Sequence, residues 1–120
     1  MEFGLGTDIE EIDRFRSLSS PEIATFLTPS EREYCNSCED PAPHIAARFA
    51  GKEACIKAVS QLTGRRLGFL DMAISRRDDG APMVNILVTM QEPVEVSMSL
   101  AHSRSDAVAI ALATFERFTR

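Results

Sequence analysis

The sequence has no apolar run approaching membrane-spanning length, and its start, Met-Glu-Phe-Gly, lacks a basic stretch followed by an apolar one. These absences predict a protein that stays in the cytoplasm and does not use a membrane as partner. A basic surplus is missing too. Lys and Arg number 13 against 18 Asp and Glu, and the net charge of −5 argues against nucleic acid as a partner. Cysteine is scarce and odd in number, three, with no disulfide framework, which suits a reducing compartment. No internal repeat, low-complexity tract or linker interrupts the chain. What remains is 120 residues with 44% hydrophobic and 26% charged content, which predicts a single domain over residues 1–120 with one core.

The chemistry concentrates in residues 44–58, His-Ile-Ala-Ala-Arg-Phe-Ala-Gly-Lys-Glu-Ala-Cys-Ile-Lys-Ala. This is the strongest helix signal in the chain, rich in Ala and straight-chain residues, with Pro43 where a first turn tolerates it. On a 3.6-residue period Ile45, Phe49 and Ile56 share one face, while Ala46, Ala50, Ala54 and Ala58 form a ridge that another backbone can approach. Glu53 falls between these apolar surfaces, and Lys57 follows one turn later. A carboxylate in that position is costly unless compensated. Arg48 and Lys52 form a same-side pair of like charge, better suited to facing an anion than each other. The helix thus reads as a holder of a metal and a phosphate. An ordinary Glu53–Lys57 surface pair accounts for the same residues.

Residues 1–9 read as a strand, with Phe3, Leu5, Thr7 and Ile9 on one face and Gly4, Gly6 and Asp8 on the other. The two glycines allow close approach of a ligand or a second backbone. Asp8 with Glu11 also reads as a helix-capping pair. Ile9 stands where a dinucleotide fingerprint needs its third glycine, which excludes that motif. A helix is expected next, from the recurrence of Ile12, Phe15 and Leu18, carrying Arg14 and Arg16 among Glu10, Glu11 and Asp13. Pro21 marks a break. Thr28-Pro29-Ser30-Glu31 predicts a capped helix running to about Cys38, ended by Pro41 and Pro43.

Cys35 and Cys38 close that helix rather than opening one after a strand, so packing suits them better than redox chemistry. A zinc site there would need His44 and Cys55 as well. Gly64, Arg65, Arg66 and Gly68 form a basic loop, either against phosphates or simply solvated. Strands are expected over residues 69–75, 83–90, 94–101 and 107–114, with Asp79-Gly80 turning between the first two and His102 at the junction of the last two. A strand, then helices, then an antiparallel meander makes the fold α+β.

Gly4-Leu5-Gly6-Thr7-Asp8-Ile9, Arg48-Phe49-Ala50-Gly51-Lys52-Glu53-Ala54-Cys55-Ile56-Lys57-Ala58 and Ser99-Leu100-Ala101-His102-Ser103 occur in that order. Together they closely resemble the holo-acyl-carrier-protein synthases, the short bacterial 4′-phosphopantetheinyl transferases. Leu27-Thr28-Pro29-Ser30-Glu31 and Asp79-Gly80-Ala81-Pro82 extend the likeness over nearly the whole chain. The resemblance implies that family's fold and its reaction, which moves the phosphopantetheine arm of coenzyme A onto a serine of an acyl carrier protein. Adenosine 3′,5′-bisphosphate leaves, and the product supports fatty acid biosynthesis.

Asp8 and Glu53 are implied as magnesium ligands, brought together by packing of the first strand beside the central helix. Lys57 is implied as a contact to the coenzyme A phosphates, Arg48 to the 3′-phosphate, and His102 as a binding residue beside the nucleotide. The catalytic group is then Asp8, Glu53 and Lys57. The serine proton goes either to Glu53 or to a metal-bound water that Glu53 orients, the second being favoured. The family also implies a homotrimer with sites between subunits, and docking of the acidic carrier on Arg14, with Arg16 as an added candidate.

Two features depart from that pattern. Acidic residues crowd Arg14, so docking must rest on a local basic patch. Ala73 stands where relatives often carry an acid. Two rival readings, a magnesium-dependent nucleotide or pyrophosphate hydrolase and a non-catalytic module binding coenzyme A or a carrier protein, leave the paired motifs unexplained.

Overall fold

A computed structural model describes residues 2–116. Its centre is α3 (Pro41–Thr63), which runs further in both directions than residues 44–58. The preceding helix ends at Ser37, ahead of Pro41 and Pro43 as expected. Both prolines occupy the first turn of α3, as expected for Pro43, where their missing N–H groups cost nothing. Gly64 ends the helix in the left-handed conformation, φ 80°, and donates its N–H to the Ser60 carbonyl.

α3 lies across a three-stranded antiparallel sheet of order β1 (Gly4–Glu11), β5 (Asp106–Phe115), β4 (Val94–His102). The first strand therefore pairs with the last, Gly6 opposite Ala111 and Asp8 opposite Ala109. The approach of helix and sheet is very close. A Cβ on Gly6 would lie 1.9 Å from the Ala54 carbonyl oxygen, and one on Gly4 2.0 Å from that of Ala58. Only glycine fits there, and the backbone that its absent side chain admits is that of α3. The Ala50–Ala54–Ala58 ridge meets a second row of small residues, Ala109, Ala111 and Ala113 of β5, all buried.

The remaining strands, β2 (Met72–Arg76) and β3 (Pro82–Ile86), form a separate hairpin. Gly80, φ 89°, supplies its turn as expected. The strands thus form two sheets, not one meander. β3 stops at Ile86 because its partner starts only at Met72, after a 3₁₀ turn over Phe69–Asp71. Beyond it, Leu87 donates to the Asp71 carbonyl and Arg65 to the Thr89 carbonyl, so these groups are satisfied outside any ladder.

The stretch expected to be one helix from Ile12 is a 3₁₀ turn (Ile12–Phe15) followed by the four-residue α1 (Ser20–Ile23). Pro21 lies inside α1 behind a Ser19–Glu22 capping box rather than breaking the chain. α2 (Pro29–Ser37) is capped by Thr28 and Glu31 as expected.

Glu31 has a second role. Its carboxylate, buried, accepts from Lys52 Nζ at 2.6 Å and from the Ile74 N–H at 2.6 Å. Lys52 is fully buried and gives its other protons to the carbonyls of Phe26 (2.8 Å) and Phe69 (3.0 Å). Burial pulls the Lys52 amine below its ordinary value, and the Glu31 hydrogen bond and charge oppose that. The pair ties α2, α3 and β2 into one body. Around it Phe15, Phe26, Phe49 and Phe69 pack ring against ring, at 5.0 to 6.3 Å between centroids. No helix among the described residues is long and apolar enough to cross a membrane.

Candidate active site

Alternation along β1 turns Gly4, Gly6, Asp8 and Glu10 toward α3. Leu5 and Ile9 face outward and are exposed. The glycines bring the strand against the helix, and the two carboxylates that follow then emerge beside Glu53 and Lys57. Lys57 Nζ donates to the Thr7 carbonyl at 3.0 Å and lies 3.7 Å from Asp8 Oδ1. Asp8 Oδ2 is buried and has no hydrogen-bond partner. Glu10 is pushed up to about 7, first by burial, then by the adjoining Asp8 carboxylate and the Glu53 charge, while Arg14 pulls the other way.

This flank therefore gathers carboxylates with too little positive charge to balance them, and it leaves one buried oxygen unsatisfied. That is the condition a small hard cation relieves. No three His, Cys, Asp or Glu side chains among the described residues form a ready-made metal cage. Magnesium does not need one, since it keeps several waters and takes one or two carboxylates plus substrate phosphate oxygens. The donor set at Asp8 and Glu53 fits it.

Arg48 and His102 lie elsewhere. Arg48 is nine residues before Lys57, about half a turn out of phase around the helix. The sheet register repeats the separation, with Glu10 opposite Ala107 and Ala107 opposite His102, so a whole strand covered by α3 stands between. On this second flank a pocket of about 170 Å³ is lined by Arg48 and by His102, the last residue of β4. Arg48 is 4% exposed, its Nε is buried without a partner, and its guanidinium stacks 4.4 Å from the Tyr34 ring centroid. The residues expected to form one site thus fall into two groups, on opposite sides of one helix.

Lys52, paired with Arg48 in the sequence pattern as a phosphate-facing cation, faces Glu31 inside the protein instead. Its position on the helix allows either outcome, and partners distant in sequence, Glu31 with the carbonyls of Phe26 and Phe69, decide it.

The two docking candidates differ. Arg14 lies over the Phe15 and Phe49 rings at 4.9 and 5.1 Å and pairs with Glu10 at 2.6 Å. Arg16 already gives three hydrogen bonds to Asp13 and Asp40, at 2.8 to 3.1 Å. Both sit on or beside a 3₁₀ turn rather than a regular helix. Cys35 and Cys55 are buried in separate core clusters, and burial first pushes their thiols up to about 11 and about 12, which makes them packing groups.

Two residues of the site escape the sequence reading. Glu10 is grouped there with the acids around Arg14, although continuing the two-residue alternation of Gly4, Gly6 and Asp8 places it beside the site. His44, whose ring is 6.4 Å from that of His102, enters only as an unneeded zinc ligand. No local pattern joins two residues that the fold brings together from α3 and β4.

The family model of the 4′-phosphopantetheinyl transferase superfamily matches residues 4–113. The holo-[acyl-carrier-protein] synthase of Chlamydia muridarum is 38% identical over 118 residues, covering 92% of this chain and 94% of that protein. That of Chlorobaculum parvum is 37% identical over 115 residues, 90% and 95%. Among solved structures, the Bacillus anthracis holo-(acyl-carrier-protein) synthase in complex with CoA (3′,5′-ADP) superposes with a TM-score of 0.79 at 31% identity, over 94% of this chain and 97% of that one. The Helicobacter pylori enzyme in complex with coenzyme A gives 0.74 at 30%, over 92% and 99%.

Proposed function

This chain belongs to the 4′-phosphopantetheinyl transferase superfamily, and from that premise we propose how its two flanks carry the family reaction. The enzyme is a holo-[acyl-carrier-protein] synthase. It transfers the 4′-phosphopantetheine arm of coenzyme A to a serine of apo acyl carrier protein and releases adenosine 3′,5′-bisphosphate. The serine oxygen forms a bond to the phosphorus that bears the pantetheine, and the bond from that phosphorus to the bridging pyrophosphate oxygen breaks.

Asp8 and Glu53 hold Mg2+, whose positive charge, once bound, offsets the pyrophosphate and the carboxylates alike. Lys57, already beside Asp8, meets the phosphates as a point charge. Glu53 orients the water that accepts the serine proton. Arg48 and His102 bind the nucleotide end. Arg14, with Arg16 beside it, receives the acidic carrier. The observation that carries this reading is the unsatisfied buried oxygen of Asp8 next to Lys57, an arrangement that a bound cation completes.

Two flanks on opposite sides of one helix suit a substrate held between two copies of the chain. We therefore propose a homotrimer in which the carboxylate flank of one subunit faces the cation flank of the next. The outer sheet face supports it. Ile9 (63% exposed) lies opposite Val108, and Leu5 (51%) opposite Leu112, an apolar surface suited to burial against a second copy. The three free cysteines suit the cytoplasm as its compartment, and a holo acyl carrier protein as product suits fatty acid biosynthesis as its context.

Incubation with apo acyl carrier protein, coenzyme A and Mg2+, followed by mass spectrometry of the carrier, tests the reading. One added phosphopantetheine, lost with chelator and in Glu53→Gln, is the expected result. Consumed coenzyme A with an unmodified carrier would overturn it, and sedimentation as a monomer at assay concentration would overturn the trimer.

A further inference from the structure

Glu10 stands between the carboxylate flank and the docking surface. Alternation along β1 turns its side chain to the face of Asp8, whose carboxylate adjoins it, and the Glu53 charge reaches it. It has a single cation. Arg14 Nη1 donates to Glu10 Oε1 at 2.6 Å, and among the described residues neither side chain has another ion-pair partner.

The two ends of this pair lie in different surroundings. The Glu10 side chain is 13% exposed and that of Arg14 55%. The Phe15 and Phe49 rings, at 4.9 and 5.1 Å, fix the place of the guanidinium. A guanidinium carries five N–H donors, and Glu10 uses one, so Arg14 has donors left for an incoming carboxylate. Arg14 thus has the carboxylate flank on one side and the acidic carrier on the other.

These two demands conflict. Without metal, Asp8, Glu10 and Glu53 are met only by Arg14 and Lys57. A carrier carboxylate at Arg14 adds one more negative charge and loosens the hold of Arg14 on Glu10. Glu10 is then left half-buried against acids of its own sign. Positive charge at Asp8 and Glu53 removes the conflict, because Glu10 no longer depends on Arg14 alone.

We propose that Glu10 couples the metal site to the docking surface through Arg14, so that the carrier binds the metal-loaded enzyme more tightly than the metal-free one. This rests on the readings that Asp8 and Glu53 hold Mg2+ and that Arg14 receives the carrier. Glu10 is a positioning residue, acting through Arg14. The coupling is reciprocal, so the carrier tightens Mg2+ by the same factor. It also gives a use to the acid beside a basic docking residue in a chain of net charge −5.

The test needs no turnover. Fluorescently labelled apo acyl carrier protein is titrated with enzyme and read by anisotropy, without coenzyme A and at constant ionic strength. A pH of about 8 keeps Glu10 ionised. In chelator, Glu10→Gln, which keeps an acceptor for Arg14 but not the charge, is expected to bind the carrier about fivefold tighter than the wild type. In an Arg14→Ala background the same change should give less than about twofold. Mg2+ should tighten the wild type about fivefold or more and Glu10→Gln by less than about twofold.

Equal tightening by Glu10→Gln with and without Arg14, as bare repulsion of the carrier would give, overturns the proposal. So does a wild type indifferent to Mg2+, or one whose Mg2+ effect persists in Glu10→Gln. Arg14→Ala alone separates the coupling from the reading beneath it. Wild-type carrier affinity in that variant would defeat docking on Arg14 and the coupling with it. A loss of affinity there, with no Mg2+ effect in the wild type, would leave docking standing and overturn only the coupling.

Discussion

Lys52 and Lys57 sit five residues apart on one helix and inside one motif, yet the fold uses them for opposite purposes. Lys52 is 0% exposed, with all three protons given to Glu31 and two carbonyls. Lys57 is 53% exposed, holds one carbonyl, and stands 3.7 Å from a carboxylate that it does not satisfy. A cation whose charge the protein already meets holds structure. One whose charge is only half met is available to a substrate. The same division separates Arg16, saturated by Asp13 and Asp40, from Arg48, buried with a nitrogen to spare.

The sharpest way to break the comparison is at Lys52. Lys52→Met leaves Glu31 as an uncompensated buried charge and should cost about 3–5 kcal/mol of unfolding free energy, measured by urea denaturation. Adding Glu31→Gln removes that charge, keeps an acceptor for the Ile74 N–H, and should recover part of the loss. If Lys52→Met unfolds like the wild type, the division is wrong.

Lys57→Ala should do the reverse. Its stability stays within about 0.5 kcal/mol. Its kcat/KM falls about ten- to a hundredfold, the range of a charged hydrogen bond to the phosphates.

The arginines sharpen the same point with smaller effects. Arg14→Ala should raise the carrier KM several-fold, whereas Arg16→Ala, removing a guanidinium already spent within the protein, should change it less than about threefold. The smallest effect is in pH. Glu10 binds its proton more tightly in the folded chain, about 7 against an ordinary 4.5. Between those values the metal-free folded state holds more protons than the unfolded one, so stability declines as pH rises through the window. Thermal melting without metal should show that decline, flattened in Glu10→Gln.

Much of this was legible in the residue order. The Thr28–Glu31 capping box is a signal four residues long, and the structure contains it as read. The alternation of Gly4, Gly6 and Asp8 against Leu5, Thr7 and Ile9 holds, and Ala54 and Ala58 of the small-residue ridge meet those glycines. The strand expected over residues 83–90 is shorter in the fold, Pro82–Ile86, because an apolar alternation says nothing about how long the partner strand is, and β2 supplies only five residues. The first strand's apolar face carries the other lesson. Alternation identifies two faces but not which one is covered, and here glycine and acid turn inward while isoleucine and leucine face out.

By itself, then, the chain's order determined its local pieces: α3 with its motif, the caps, the hairpin turn at Gly80 and the acids and cations available for chemistry. These depend on neighbours within a turn or two, where spacing alone sets geometry. Tertiary structure decided that the last strand pairs with the first, that Lys52 is buried and Lys57 is not, and that the cations at Arg48 stand across the helix from the carboxylates at Asp8. Each depends on partners distant in sequence. Lys52 meets groups 26, 21 and 17 residues away. A buried charge is tolerated only where such partners converge, and that convergence belongs to the packed chain, because no spacing along α3 encodes where Phe26, Glu31 and Phe69 will come to rest.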